Sequence, residues 1–169
     1  MISTDSPATV EMDEIQFERE LVTTSDAAIR LARSLGRSPE DAADVVQDAA
    51  AQAWRYRSTL RGEWKPWFLS IVYRQAKRRT PEWLPLPASW DKPSHDWPGS
   101  APGDDILKAA IGDLPSRQRA ALVLYYAEDM KIEAVAHVLG VSEAATKQLL
   151  SRARTSLKER YSALSERVS

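Results

Sequence analysis

Cysteine occurs nowhere in the 169 residues, so no disulfide cross-links the chain and no thiolate can hold zinc or an iron–sulfur cluster. Histidine is nearly as scarce: His95 and His137 stand far apart and lack the spacing of a histidine metal site. No run of about 18 apolar residues is present, and the opening MISTDSPATVEMDE is acidic where a secretion signal carries cations and then an apolar stretch. A protein of the reducing cytoplasm is expected, rather than a secreted or membrane-spanning one. The six glycines form no phosphate-cradling loop, and neither paired catalytic carboxylates nor an activated nucleophile can be identified. The apolar–polar alternation of a half-buried strand is missing too. An enzyme is the weakest reading, and no cofactor is expected.

What is abundant is helix-forming sequence with uneven charge. Hydrophobic residues make up 43% of the chain, enough to build a core. The formal net charge of −1 conceals two opposed segments: residues 1–28 hold seven acids against the single base Arg19, and residues 55–79 hold eight bases against the single acid Glu63. Attraction to phosphate is local, so the second segment suits a polyanion and the first repels one.

The periodicity predicts an all-α protein. Leu21, Ile29, Leu31, Ala32 and Leu35 mark one or two helices stopped near Gly36, and Ser38-Pro39-Glu40-Asp41 supplies a cap, a first-turn proline and acids for the next helix. That helix, ending near Arg57, carries Ala42, Val45, Val46, Ala49, Ala53 and Trp54 as its buried stripe. The segment WKPWFLSIVYRQAKRR follows, with Trp67, Phe68, Ile71 and Val72 on its apolar face. Residues 80–104 contain six of the ten prolines and read as an extended linker, with a reach of roughly 75 Å at about 3.1 Å per residue. The expected organisation is a disordered acidic arm over 1–14, a helical domain over 15–79, the Pro/Trp-rich linker over 80–104 and a second helical domain over 105–169. Four short helices are expected in the second domain, delimited by Leu114-Pro115-Ser116, Glu128-Asp129 and Gly140-Val141-Ser142.

KIEAVAHVLGVSEAATKQLL meets the specification of a helix-turn-helix. Val135, Leu139 and Val141 bracket the corner, Ala136 is the small contact residue, Gly140 takes the turn and Ser142 caps the second helix. Along that helix Thr146, Leu150, Ala153, Leu157, Tyr161 and Leu164 are expected to face inward. Near its start Glu143, Ala144, Lys147 and Gln148 are the candidate readers of base edges, with Ser142 at the cap and Ser151, Arg152 and Arg154 suited to phosphates. On the pattern alone three readings stay open: a DNA reader that binds an operator by itself, an interaction module, and an ordinary helical hairpin with a solvated basic face.

LPSRQRAALVLYYAEDMKIEAVAHVLGVSEAATKQLLSRARTSLKER resembles region 4 of bacterial sigma factors, and GRSPEDAADVVQDAAAQAW followed by WKPWFLSIV resembles their region 2. The order is the family's, and the resemblance, to the small extracytoplasmic-function (ECF) group, covers most of residues 17–161. It implies a dissociable, non-catalytic subunit that joins core RNA polymerase, directs it to promoter DNA at minus-ten and minus-thirty-five elements and helps melt the duplex. By the same resemblance, Asp44, Gln47, Asp48 and Arg55 would contact polymerase. Trp64 would stack on an unstacked minus-ten base beside Arg61 and Lys65, Trp67 would serve the core, and Arg74, Lys77 and Arg78 would follow the phosphate backbone. Arg74 and Arg78 stand where members commonly carry asparagine and aspartate. Ala144-Ala145-Thr146-Lys147 replaces a frequent G-T-V-K, and Leu149 occupies a commonly basic position. Members of the group are often held by an anti-sigma factor, and Trp83, Trp90 and Trp97 of the linker are expected to anchor on a partner or on the domains.

Overall fold

The structure, a computed structural model, describes residues 12–78 and 105–169. The residues before Met12 and the connector with Trp83, Trp90 and Trp97 lie outside that description. Among the described residues every regular element is helical.

Helix α1 (Glu14–Ser34) starts where the Asp13 carboxylate accepts a hydrogen bond from the Gln16 backbone N–H at 2.8 Å. Met12 is buried beside it. The last residues of the expected arm are therefore part of the fold, because a cap and an apolar contact tie them down. The helix is a single one, and the chain leaves it through Gly36 at a φ of 89°.

Helix α2 (Pro39–Arg55) is capped by Ser38, whose Oγ accepts from the Asp41 N–H at 3.1 Å, with proline in the first turn and Glu40 and Asp41 near the positive end of the dipole. Its buried stripe is Ala42, Val45, Ala49 and Ala53, small enough for α1 and helix α3 (Trp64–Arg78) to pack against it closely. Trp54 departs from expectation. It lies in the last turn and is 37% exposed, held edge-on by Phe17 at 5.0 Å and covered by the Arg57 guanidinium 3.8 Å from its ring centroid. After α2 a single tight turn, Arg57–Thr59, leads to α3.

Trp64 opens α3 and is only 7% exposed. Its ring stacks on Phe68 at 5.1 Å, meets Phe17 edge-on at 5.3 Å and donates its Nε1–H to Thr24 Oγ1 at 2.7 Å. This corrects the expectation that Trp64 stacks on a base: the indole is a satisfied core group with its faces occupied.

The second unit comprises α4 (Asp105–Gly112), α5 (Ser116–Leu122), α6 (Ile132–Leu139) and α7 (Glu143–Val168). Helix α5 runs into a widened π turn, Val123–Ala127, in which the Glu128 N–H bonds the carbonyl of Val123 at 3.0 Å. Helix α7 is 26 residues long, which agrees with a stripe expected to run from Thr146 to Leu164. Thr146, Leu150 and Ala153 are buried and Leu157 and Leu164 half-buried, while Tyr161 is exposed.

The two units form one body. Helix α3 packs on α6 and α1 on α5, and a continuous core joins Leu31, Phe68 and Leu69 to Leu114, Leu124 and Val135. Arg119 crosses this seam. Its Nε donates to the carbonyl of Ser34 at 2.8 Å, and its Nη1 to the carbonyls of Leu114 and of Gly112, the latter at 3.3 Å. Burial pushes its pKa down to about 10, which still leaves it protonated at neutral pH. The carbonyl ends of α1 and α4 supply the partial negative charge that receives it.

Trp64→Ala is expected to lower the unfolding free energy in urea by about 3–5 kcal/mol, and Trp54→Ala by clearly less. A loss no larger at Trp64 than at Trp54 would contradict the core assignment.

Candidate nucleic-acid interface

The corner between α6 and α7 is built by local hydrogen bonding. Gly140 sits at φ 67° and ψ 34°, and a Cβ there would meet nothing within 4 Å, so backbone conformation rather than space calls for glycine. The Gly140 N–H bonds the His137 carbonyl at 3.3 Å and the Val141 N–H bonds the Ala136 carbonyl at 3.1 Å, closing α6. Ser142 then caps α7: its Oγ accepts from the Ala145 N–H at 3.0 Å, and its carbonyl accepts from Thr146 Oγ1 at 2.9 Å. Thr146 is fully buried and Ala136 nearly so, so the two helices meet closely beneath the turn.

This corner leaves one side of α7 in solvent. Ser142, Glu143, Ala144, Lys147, Gln148, Ser151, Arg152 and Arg154 are all exposed. Leu149 is half-buried against the core, which accounts for an apolar side chain at that position. Arg154 is oriented by donating Nη1–H to the Tyr126 hydroxyl at 3.0 Å, a contact that sequence spacing does not reveal.

The basic segment of the first unit divides into three settings. Arg61 is exposed, its Nη1 donating to the carbonyls of Ser58 and Leu60 at 3.2 and 3.1 Å, beside Gly62 at φ 77°. Toward the end of α3, Arg74 and Arg78 are exposed and Lys77 lies over the Tyr73 ring at 5.8 Å, close to the carbonyl end of the helix. Lys65 points the other way, into the seam, where its Nζ lies 3.2 Å from the Glu128 carboxylate. Trp67, expected in the core, packs against it 5.5 Å from the Trp64 ring and is half-buried. It lines a cleft of about 660 Å³ with Arg61, Gly62 and Glu63, faced from the second unit by Lys131, His137, Ser142 and Glu143. On a separate surface, Asp44, Gln47, Asp48 and Arg55 are exposed on α2.

Glu128 and Arg30 were not legible as site residues. Their pairing at 2.6 Å joins positions 98 apart in sequence, and Glu128 carries no periodic signal. Among the described residues no cluster of potential metal ligands occurs, and no helix is long and apolar enough to cross a membrane.

Residues 21–80 match the family Sigma-70 region 2, and residues 104–157 match Sigma-70, region 4. The RNA polymerase sigma-E factor of Streptomyces coelicolor is 30% identical over 154 residues, spanning 86% of this chain and 85% of that protein. The ECF RNA polymerase sigma factor SigM of Mycobacterium tuberculosis is 32% identical over 133 residues, 76% of this chain and 68% of the relative. Among solved structures, the sigma factor RpoE of Bartonella quintana in complex with the anti-sigma factor NepR superposes with a TM-score of 0.66 at 25% identity, covering 85% of this chain and 95% of that one. CnrH in complex with the cytosolic domain of CnrY has a TM-score of 0.67 at 24% identity over 89% of this chain and 90% of its own, a likeness of fold. With both regions matched in order and relatives alike over most of their length, the chain belongs to the ECF group of the sigma-70 family, the sigma factors of transcription initiation.

Proposed function

We propose that this sigma factor divides a promoter between its two helical units, 15–79 and 105–169, held on the connector 80–104. The observation that carries the reading is the α6–α7 corner: a capped helix whose first turns leave Glu143, Ala144, Lys147 and Gln148 exposed while its apolar side is buried. Those four residues read base edges of the minus-thirty-five element. Ser142, Ser151, Arg152 and Arg154 hold its phosphates, a division of labour general to duplex recognition. With few polar side chains near the base edges, DNA shape contributes to the discrimination.

At the minus-ten element Trp67 takes the stacking role first expected of Trp64, because it is the half-buried indole beside Arg61. Arg61, Lys65, Arg74, Lys77 and Arg78 neutralise phosphate in the melting region. The exposed edge of α2, with Asp44, Gln47, Asp48 and Arg55, docks on core RNA polymerase, its acids suiting a basic partner surface. The protein acts in the cytoplasm, where its polymerase works, and catalyses nothing itself. An anti-sigma factor, the kind of partner bound in the RpoE structure, is the expected antagonist.

Purified chain is expected to co-purify with core polymerase at low salt and to direct transcription from cognate promoters. A chain that binds an operator but never core enzyme would instead be an autonomous regulator. Replacing Lys147 and Gln148 with alanine should compress discrimination at the upstream element, where each mismatch at a read position is worth about 1–3 kcal/mol. Equal losses on all sequences would assign both residues to phosphate. Trp67→Ala should reduce open-complex formation, measured by permanganate footprinting, more than duplex binding; an unaltered bubble would remove Trp67 from the stacking role.

A further inference from the structure

We propose that Glu128 is a latch that holds the two units together with the first residues of α7 facing the Arg61–Trp67 segment, and that promoter phosphate releases it by competing for Lys65. The inference rests on the DNA-binding reading above and adds a regulatory step to it.

Glu128 follows the widened turn after α5 and precedes Asp129, which takes a φ of 51°. The Glu128 N–H bonds the Val123 carbonyl at 3.0 Å and the Met130 N–H bonds the Leu124 carbonyl at 3.1 Å, so the backbone on both sides of the carboxylate is held. The side chain is 4% exposed. One oxygen accepts from Arg30 Nε of α1 at 2.6 Å, and the other from Lys65 Nζ of α3 at 3.2 Å. Both cations belong to the first unit and the carboxylate to the second, so every bond this side chain makes across the seam is lost when the units part. The Arg30 and Lys65 side chains are 30% and 39% exposed, which lets water and salt reach the pair from outside.

Opening strands no buried charge. Glu128 becomes hydrated, and Arg119, though it leaves the Ser34 carbonyl, keeps the Gly112 and Leu114 carbonyls of its own unit. Separation therefore costs the shared apolar core but leaves no isolated ion in an apolar interior.

Closure also crowds the start of α7, while Lys147, Gln148, Arg152 and Arg154 stay in solvent. Ser142 and Glu143, at the reading end of α7, face Arg61, Glu63 and Trp67 across a cleft of about 660 Å³, a volume of small-molecule size that admits no duplex. Lys65 serves either Glu128 or a DNA phosphate. A ligand that binds only the open form shifts the equilibrium toward it, and weakening the latch tightens that ligand's binding by the same linkage.

The absence of cysteine allows two spin labels to be placed uniquely on the full chain, at Ala51→Cys on α2 and Thr155→Cys on α7, both exposed. The interlabel distance of the otherwise wild-type chain is expected to be short and narrowly distributed, and Glu128→Gln should shift and broaden it to longer values. Arg30→Gln should act in the same direction and decides the matter if Glu128→Gln loses its helical circular dichroism. An unchanged distribution in the folded variants, or a long one already in the wild type, would overturn the latch. Binding to a promoter duplex without polymerase should tighten by about fivefold or more in Glu128→Gln, within the usual range of coupling between sites; an opened chain with unchanged affinity would overturn the occlusion. The distance measurement involves neither DNA nor polymerase, so a latch that opens in a chain unable to join core enzyme would count against the proposed function alone.

Discussion

Two helical units of fewer than about 70 residues each enclose little interior, since the fraction of surface a domain buries falls with its size. In this chain that constraint is met at the seam between them. Phe68 and Leu69 of α3 and Val135 and Val138 of α6 belong to one apolar core, so each unit completes its interior partly with the other. Apolar burial contributes on the order of 25 cal/mol per Å² wherever it occurs, but an apolar contact does not by itself set orientation. The charges at the seam do: Arg119 is directed to the carbonyl ends of α1 and α4, and Glu128 to two cations.

The functional surfaces are what this packing leaves over. Helix α7 buries Thr146, Leu150 and Ala153, and the opposite side of its first turns remains in solvent. Helix α2 buries Ala42, Val45, Ala49 and Ala53 against α1 and α3, leaving Asp44, Gln47 and Asp48 outward. The cations of α3 are sorted the same way: those near its carbonyl end stay in solvent, while Lys65 in its first turn is drawn to Glu128. The seam thus combines a shared apolar core with ion pairs whose cations solvent reaches.

Much of the fold was legible in the sequence because its signals are local. The caps at Ser38 and Ser142, the turn at Gly140 and the stripes of α2 and α7 are read from residues within a few positions of one another. The exposed set on α7 followed from the same periodicity, as did the acidic edge of α2. The misses are equally instructive. Trp54 and Tyr161 continue apolar stripes by spacing, yet both stay partly in solvent, Trp54 with only Phe17 and Arg57 against its ring. The exchange between Trp64 and Trp67 has a similar origin: both begin α3, and only the neighbours Phe17, Thr24 and Phe68 decide which indole is enclosed.

By itself the sequence determined which segments are helices, where they begin and end, which family they belong to and which side of α7 is polar, since these depend on propensity, capping and hydrophobic period over a few turns. Tertiary structure alone decided that the units close on each other, that Lys65 faces a carboxylate and that Trp67 rather than Trp64 lines the cleft. The partners in those contacts lie 98, 85, 63 and 40 residues apart, and no local pattern encodes a contact at such separations. Only the packing of helix on helix brings those residues together, and the direction of each side chain there is set by what its neighbours leave open.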